Sequence, residues 1–280
     1  MHRLMGAITG LEVLDGIGER LGKLAREATK PKPLKELLAG TWLGHPLHPV
    51  LTDVTIGTLT SALLLDWLGG DESRPAARRL IGLGLLSATP VVASGVSDWG
   101  DAEPGDDSVR RIGLVHATSN GLATALFAAS FAARRRGDDG RLLALAGGAA
   151  LTAGGYLGGH LAFAKGVGVD HTVFEDGGEG WVDVLPEVTI ADGRPRCVEA
   201  DGTAVMVVRR GDAVYALSDH CSHLGGPLHE GEVTDTTVTC PLHESVFTLR
   251  DGALVHGPAA YPQPAWDTRV RAGRIEVRRR

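Results

Sequence analysis

Cysteine is scarce: only Cys197, Cys221 and Cys240 occur in 280 residues. So small and odd a set excludes a disulfide-stapled secreted scaffold. An excess of positive charge is also missing. The net charge of −6 argues against a nucleic-acid surface, so no nucleic-acid partner is expected. There is no GxGxxG after a strand, and hence no flavin or nicotinamide fingerprint. The N-terminal stretch lacks the uninterrupted apolar core of a secretory signal, because Glu12, Asp15 and Glu19 fall inside it. Instead Ile8, Leu11, Ile17, Leu21 and Leu24 recur at helical spacing, which predicts an amphipathic helix. It either lies on a membrane surface or packs on a soluble domain.

Charge is absent from three long runs: residues 80–97, 112–133 and 142–164. Each approaches the ~20 apolar residues that a bilayer core requires. A fourth run, 47–68, carries Asp53 and Asp66 toward its ends around an apolar middle. Charged or turn-rich segments separate all four. The expected fold is multidomain, an all-α four-helix transmembrane bundle followed by a small all-β domain. The bounds are an N-terminal helical segment at 1–40, the membrane domain at 41–170, a Gly-rich linker at 171–180 and the β domain at 181–280. Gly147, Gly148, Gly154, Gly155, Gly158 and Gly159 in the last span would let helices approach closely or leave room for a flat cofactor.

The last hundred residues are of another kind. "TAVMVVRR", "AVYALS" and "VTDTTVTC" are β-branched runs that read as strands. Between them lie "SDHCSHLGG" and "TCPLHES", giving Cys221-x-His223 and Cys240-x-x-His243. Two Cys and two His can hold a structural zinc, but zinc fingers usually pair Cys with Cys and His with His. Here each hook carries one of each. That suits a two-iron cluster in which one iron takes both sulfurs and the other both nitrogens.

With "CSHLGGPL", "VTCPLHESVFTL" and the later "GPAAYPQPAWDTRVRAGRIEV", residues 181–280 resemble Rieske [2Fe–2S] ferredoxin domains. The resemblance implies Cys221 and Cys240 on the buried iron and His223 and His243 on the outer iron. It implies a hydrogen bond from Ser245 to a cluster sulfide, and a proline-containing loop over the cluster. The high-potential branch of that family has an extra disulfide between the two loops. Here those places hold Gly226, or its neighbour, and Leu242. Phe247 replaces a tyrosine donor, and Glu244 replaces a usual glycine. These departures imply a potential low in the Rieske range of about −150 to +300 mV, falling as pH rises past the ligand imidazole pKa. The large mononuclear-iron domain of ring-hydroxylating oxygenases is not found, so the expected role is single-electron transfer as a component of an oxidoreductase system. Cys197 reads as a strand residue with no redox part, its surroundings offering no matched partner.

Alternating helix direction brings His45 and His48 of "GHPLHPV", Asp98, His116, Asn120, His160 and His171 toward one membrane surface. Ionisable groups at membrane depth are costly and mark functional candidates. Three readings stay open. Haem b could be clamped by His116 and His160 on adjacent helices. A quinone pocket could use histidine and aspartate for protons, with His45 and His48 serving either cofactor. The plain reading is a helix start made rigid by Pro46 and Pro49. "HPLHPVLTDVTIG" and "GGHLAFAKGVGV" resemble a family of four-span bacterial membrane proteins of unknown function, over about residues 40–170.

The expected partners are the lipid bilayer, a redox partner protein (a reductase or oxidase component) and quinone. The expected location is the bacterial inner membrane, multi-pass. Seven basic residues flank the spans on one side and six on the other, which barely orients the chain. The missing disulfide and the absence of a twin-arginine signal favour a cytoplasmic Rieske domain. A redox sensor signalling through the membrane domain and a zinc module on a membrane anchor are the competing functions.

Overall fold

The computed structural model describes residues 2–280, and these divide into two compact units. One comprises the described residues up to 32 together with 47–167, the other residues 33–46 and 168–280.

The first unit is helical. Short α1 (His2–Thr9) and α2 (Asp15–Thr29) precede four long helices. Between α2 and these, α3 (Lys32–Ala39) opens the 33–46 segment of the other unit. The long helices are α4 (Leu47–Leu68), α5 (Arg74–Ala102), α6 (Asp107–Arg136) and α7 (Arg141–Lys165). All four are long and apolar enough to cross a membrane. Neighbours α4–α5, α5–α6, α6–α7 and α4–α7 pack to close a four-helix bundle. Small residues set the approach. A side chain at Gly147 would meet the Phe127 ring, and one at Gly148 would meet Leu63 at 2.5 Å. The buried centre holds Leu59, Ala62, Ala77, Ile81, Phe127 and Ala144.

The expected N-terminal amphipathic helix is broken at Gly10 and Leu11 into α1 and α2, and α2 turns its glycine face inward. The face that α2 buries carries Gly18, Gly22, Ala25 and Thr29, while Ile17, Leu21 and Leu24 stay exposed. Gly22 is required where it sits, because a Cβ there would lie 2.1 Å from the Glu103 carboxylate. Glu103, only 1% exposed, accepts from Arg26 at 2.5 Å and from Arg110 at 2.7 Å. Arg111 grips Asp15 through two hydrogen bonds at 2.8 and 2.6 Å. Charges thus dock α2 on the bundle and leave its leucines outward.

At the other end of the bundle, Asp66 and Arg134 form a buried two-pronged pair at 2.7 and 2.6 Å. Arg134 also donates to Ser130, whose hydroxyl donates to the Gly140 carbonyl. This ties α4 to the α6–α7 turn.

The second unit is β-rich. A six-stranded antiparallel sheet has the order β1-β10-β9-β4-β3-β2. Its strands are β1 (Val182–Pro186), β2 (Arg196–Ala200), β3 (Thr203–Arg210), β4 (Ala213–Ser218), β9 (Ala265–Arg271) and β10 (Arg274–Arg279). A four-stranded sheet runs β5 (Glu232–Val233), β6 (Thr237–Thr239), β7 (Val246–Thr248), β8 (Leu254–His256). The middle of β3, Val205 to Val208, is apolar because both its faces are buried there. Val205 and Val207 join Trp266, Ile275 and Val277 in one core. Met206 and Val208 join Leu217, Phe247, Cys221 and Cys240 in the other.

The buried charge pair yields a direct test. Replacing Asp66 by Ala strands a buried guanidinium, which costs about 3–5 kcal/mol. The Asp66→Ala protein in detergent should melt well below wild type. Asp66→Leu combined with Arg134→Met should regain most of the loss. Equal melting of wild type and Asp66→Ala would show that the pair does not hold the bundle.

Candidate metal centre

The two Cys–His hooks fold into the same turn. In the first, after β4, the Cys221 N–H donates to the Gly226 carbonyl and the Gly225 N–H returns to the Cys221 carbonyl, both at 2.8 Å. In the second, between β6 and β7, the Cys240 N–H donates to Ser245 O at 2.8 Å and the Glu244 N–H returns to Cys240 O at 3.1 Å. Each turn needs a left-handed fourth residue: Gly225 has φ 71° and Glu244 has φ 62°. Glu244 therefore takes a conformation that glycine adopts without strain.

The matched turns bring the four side chains together. Cys221 and Cys240 are buried with their sulfurs in hydrogen-bond contact. The His223 and His243 rings lie edge to face with centroids 5.0 Å apart, both half-buried. The backbone N–H groups of His223 and Leu224 point at the Cys221 sulfur, and those of Leu242 and His243 at the Cys240 sulfur. Such amides favour thiolate over thiol. The hydrogen bond to Cys240 and burial push the Cys221 thiol up. The hydrogen bond from Cys221 and the amides of its own turn bring Cys240 down to about 7, against burial. Two sulfurs side by side in an apolar core and two imidazoles at its rim fit a cluster that takes sulfur on one iron and nitrogen on the other.

The surroundings hold this arrangement. The Gln263 side chain accepts from the Ser222 N–H at 3.0 Å and donates to the carbonyls of Ser218 and His220 at 2.8 and 2.7 Å. It ties the proline loop, residues 257–264, to the first hook. Ser245, fully buried, accepts the Ala259 N–H at 3.0 Å, which leaves its own O–H to donate. Phe247 is fully buried in the core under the cysteines and has no polar group to offer. Where the disulfide of the high-potential branch would lie, Leu242 packs over Gly226: a Cβ on Gly226 would meet the Leu242 side chain at 3.0 Å and the Cys240 sulfur at 2.8 Å.

Sequence reasoning did not connect residues 33–46 to this centre, yet they pack against it. Glu36 pairs with His256 at 2.8 Å, Thr41 donates to the Ala259 carbonyl at 3.1 Å, and Lys35 lies within electrostatic reach of His223. Gly257 leaves room for the Thr41 hydroxyl, which a Cβ would meet at 2.0 Å. Residues 168–180 behave alike. The His171 N–H donates to the Ser222 carbonyl at 3.1 Å, and Gly177 lies against Trp266. His171, grouped by sequence with the membrane histidines, thus sits beside the first hook. Only the glycines and prolines of these stretches hinted at folded turns. Cys197 also differs from its reading as a residue without a matched partner, since its thiol reaches the buried Asp219 carboxylate.

The other candidate histidines divide. His45 precedes α4, bonds its ring to the neighbouring Pro46 carbonyl at 2.9 Å and belongs to the β-rich unit. It therefore shares no helix face with His48. Within the bundle, His48 turns Nδ1 to the Val91 carbonyl at 3.0 Å and to Ser94 at 3.1 Å. His116 turns Nδ1 to the Gly154 carbonyl at 2.8 Å, with Asn120 against its ring. Each ring is seated on a glycine: a Cβ at Gly95 would lie 2.7 Å from His48, and one at Gly158 2.9 Å from His116. His160 is half-buried on α7.

Known proteins resemble each half. Residues 180–267 match the profile of the Rieske [2Fe–2S] domain, and residues 44–171 that of a predicted membrane protein family (DUF2231). The anthranilate 1,2-dioxygenase ferredoxin subunit of Burkholderia cepacia is 35% identical over 86 residues, which are 31% of this chain and 80% of that subunit. The cytochrome b6-f complex iron–sulfur subunit of Chlorobaculum tepidum is 30% identical over 94 residues, 34% of this chain and 51% of the subunit. Among solved structures, the ferredoxin of carbazole 1,9a-dioxygenase from Nocardioides aromaticivorans IC177 is 36% identical and covers 36% of this chain and 98% of its own, with a TM-score of 0.35. The membrane half lies outside these pairwise similarities. Matched turns, paired sulfurs and paired imidazoles agree with the sequence kinship: through its C-terminal domain this chain belongs to the Rieske [2Fe–2S] family.

Proposed function

We propose that the protein is a membrane-bound Rieske iron–sulfur protein carrying single electrons between a soluble donor protein and a membrane acceptor, haem or quinone. The observation that carries this reading is the joining of four cluster ligands on two matched turns to four helices of membrane-spanning length in one chain. When bound, a [2Fe–2S] cluster supplies reversible one-electron exchange. The chain's own residues set the conditions for it. Cys221 and Cys240 would hold the inner iron within the apolar core. His223 and His243 would hold the outer iron at a half-exposed edge, where a partner protein can approach. Leu242, 55% exposed, offers an apolar contact beside that edge. The bacterial inner membrane, with the Rieske domain in the cytoplasm, is the location that suits the missing disulfide.

The acceptor reading rests on the bundle histidines. His116 with His160 was the pairing expected for haem b. The contacts favour His48 with His116 instead. Each fixes Nδ1 on a backbone carbonyl, the second contact that orients a metal-ligating imidazole, and on His116 the Asn120 amide, 3.2 Å from Nε2, would have to give way to a ligand. The same pair could serve a quinone by holding protons.

Two experiments test these assignments. Ser245→Ala removes one hydrogen bond to the cluster and should lower the midpoint potential. One charge-assisted bond of about 1.5–3 kcal/mol corresponds to roughly 65–130 mV for one electron. An unchanged potential would remove Ser245 from the site. For the acceptor, reduced-minus-oxidised spectra are recorded on detergent-purified wild type and on His48→Ala, His116→Ala and His160→Ala. The expected result is a haem band lost in the first two variants. Protein without haem whose reduced form is reoxidised by quinone in vesicles would move the acceptor to quinone. Neither haem nor quinone-dependent reoxidation would overturn the membrane-acceptor reading.

A further inference from the structure

Cys197 has no part in the centre described above. It sits on β2 opposite Met206 of β3 and is exposed. Its Sγ, a carboxylate oxygen of Asp219 and a ring nitrogen of His229 all lie within 4.8 Å of one another. Asp219 is 2% exposed. It accepts the His229 backbone N–H at 2.8 Å and bonds the ring at Nδ1 at 2.7 Å. Beyond the imidazole, the Glu230 carboxylate lies 3.9 Å from Nε2. An open cleft lined by residues 192–196 and His229 adjoins the group.

The backbone and ring of His229 already anchor the Asp219 loop, so the thiol is not needed for that purpose. What Cys197 adds is a soft donor. We propose that Cys197, Asp219 and His229 form a binding site for a zinc-class divalent cation, distinct from the iron–sulfur ligands. Thiolate, imidazole and carboxylate are the three donor types that zinc takes. Tetrahedral ligands at ~2.0–2.3 Å from the metal stand roughly 3.3–3.8 Å apart, so the thiol would close by about 1 Å while His229 Nδ1 and the Asp219 oxygen, now 2.7 Å apart, would open by about 1 Å. On binding, the thiol proton leaves to solvent. The imidazole presents Nδ1 to the metal and carries its hydrogen on Nε2. That hydrogen then faces Glu230, giving the carboxylate–histidine–metal arrangement that orients ligating imidazoles. Three protein ligands leave a fourth position, and the adjoining cleft gives it access. The site is therefore of the open kind, with water or an exogenous ligand completing it.

The test uses tag-free protein carrying its full iron content. Zinc is added, excess is removed on a desalting column, and retained zinc and iron are both measured. Alkylation of Cys197 is followed by mass spectrometry at about pH 9, since burial, followed by the Asp219 charge, raises this thiol to about 11. The expected result is one retained zinc per chain, unchanged iron, and labelling of Cys197 slowed at least tenfold. Cys197→Ala, which leaves both His229 bonds to Asp219 in place, should weaken zinc binding about 100-fold or more. Glu230→Gln should weaken it about tenfold while iron content and the cluster's EPR signal stay as in wild type. Zinc that leaves Cys197 labelling unaltered, or that binds Cys197→Ala as tightly as wild type, overturns the proposal.

Discussion

The centre depends on two cysteine sulfurs held against each other inside an apolar core. Cys221 follows β4 of the six-stranded sheet, and Cys240 follows β6 of the four-stranded sheet. They meet because two turns of the same hydrogen-bond pattern end at the same buried cluster of Met206, Leu217 and Phe247. Backbone amides aimed at each sulfur favour the charged form that iron requires. Burial would disfavour that charge without them. The rest of the β unit serves this arrangement. Gln263 secures the first turn, Ser245 receives the proline loop, and residues 33–46 brace that loop from a distant part of the chain.

Much of this was legible in the sequence, for identifiable reasons. The Cys-x-His and Cys-x-x-His spacings specify their chemistry because each hook must supply one sulfur and one nitrogen. The four spans were legible because uncharged runs of membrane length have few other uses. α4 coincides with run 47–68 and α7 exceeds its run by a single residue at each end, whereas α5 and α6 extend further beyond theirs. Less local features were not legible. That residues 33–46 fold with the β unit rests on contacts such as Thr41 with Ala259, more than two hundred residues apart. Cys197 looked isolated because its neighbours Asp219 and His229 are brought to it by strand pairing and a loop, not by sequence proximity. The face of α2 was ambiguous for a similar reason. Its leucines marked one face of a helix without saying what that face would meet, and in the fold its glycines supply the packing while its leucines stay outside.

The helical unit shows how a membrane bundle is specified without a hydrophobic drive between helices. Glycines set close approach, and buried charges set register. Asp66 with Arg134 fixes one end, and Glu103 with Arg26 and Arg110 fixes the other. Two histidines seated on glycines then remain in the interior with their Nδ1 atoms already committed to the backbone. Such a placement is costly for a structural ornament and suited to a ligand or proton-handling role.

The central claim is that the four hook residues carry a two-iron cluster in a membrane protein. Iron content and low-temperature EPR of the detergent-purified chain, before and after reduction by dithionite, test it most directly. Two irons per chain are expected, with a Rieske-type signal that appears on reduction and disappears in Cys221→Ala. A well-folded protein without iron, or one with zinc bound by Cys221, His223, Cys240 and His243, would contradict it.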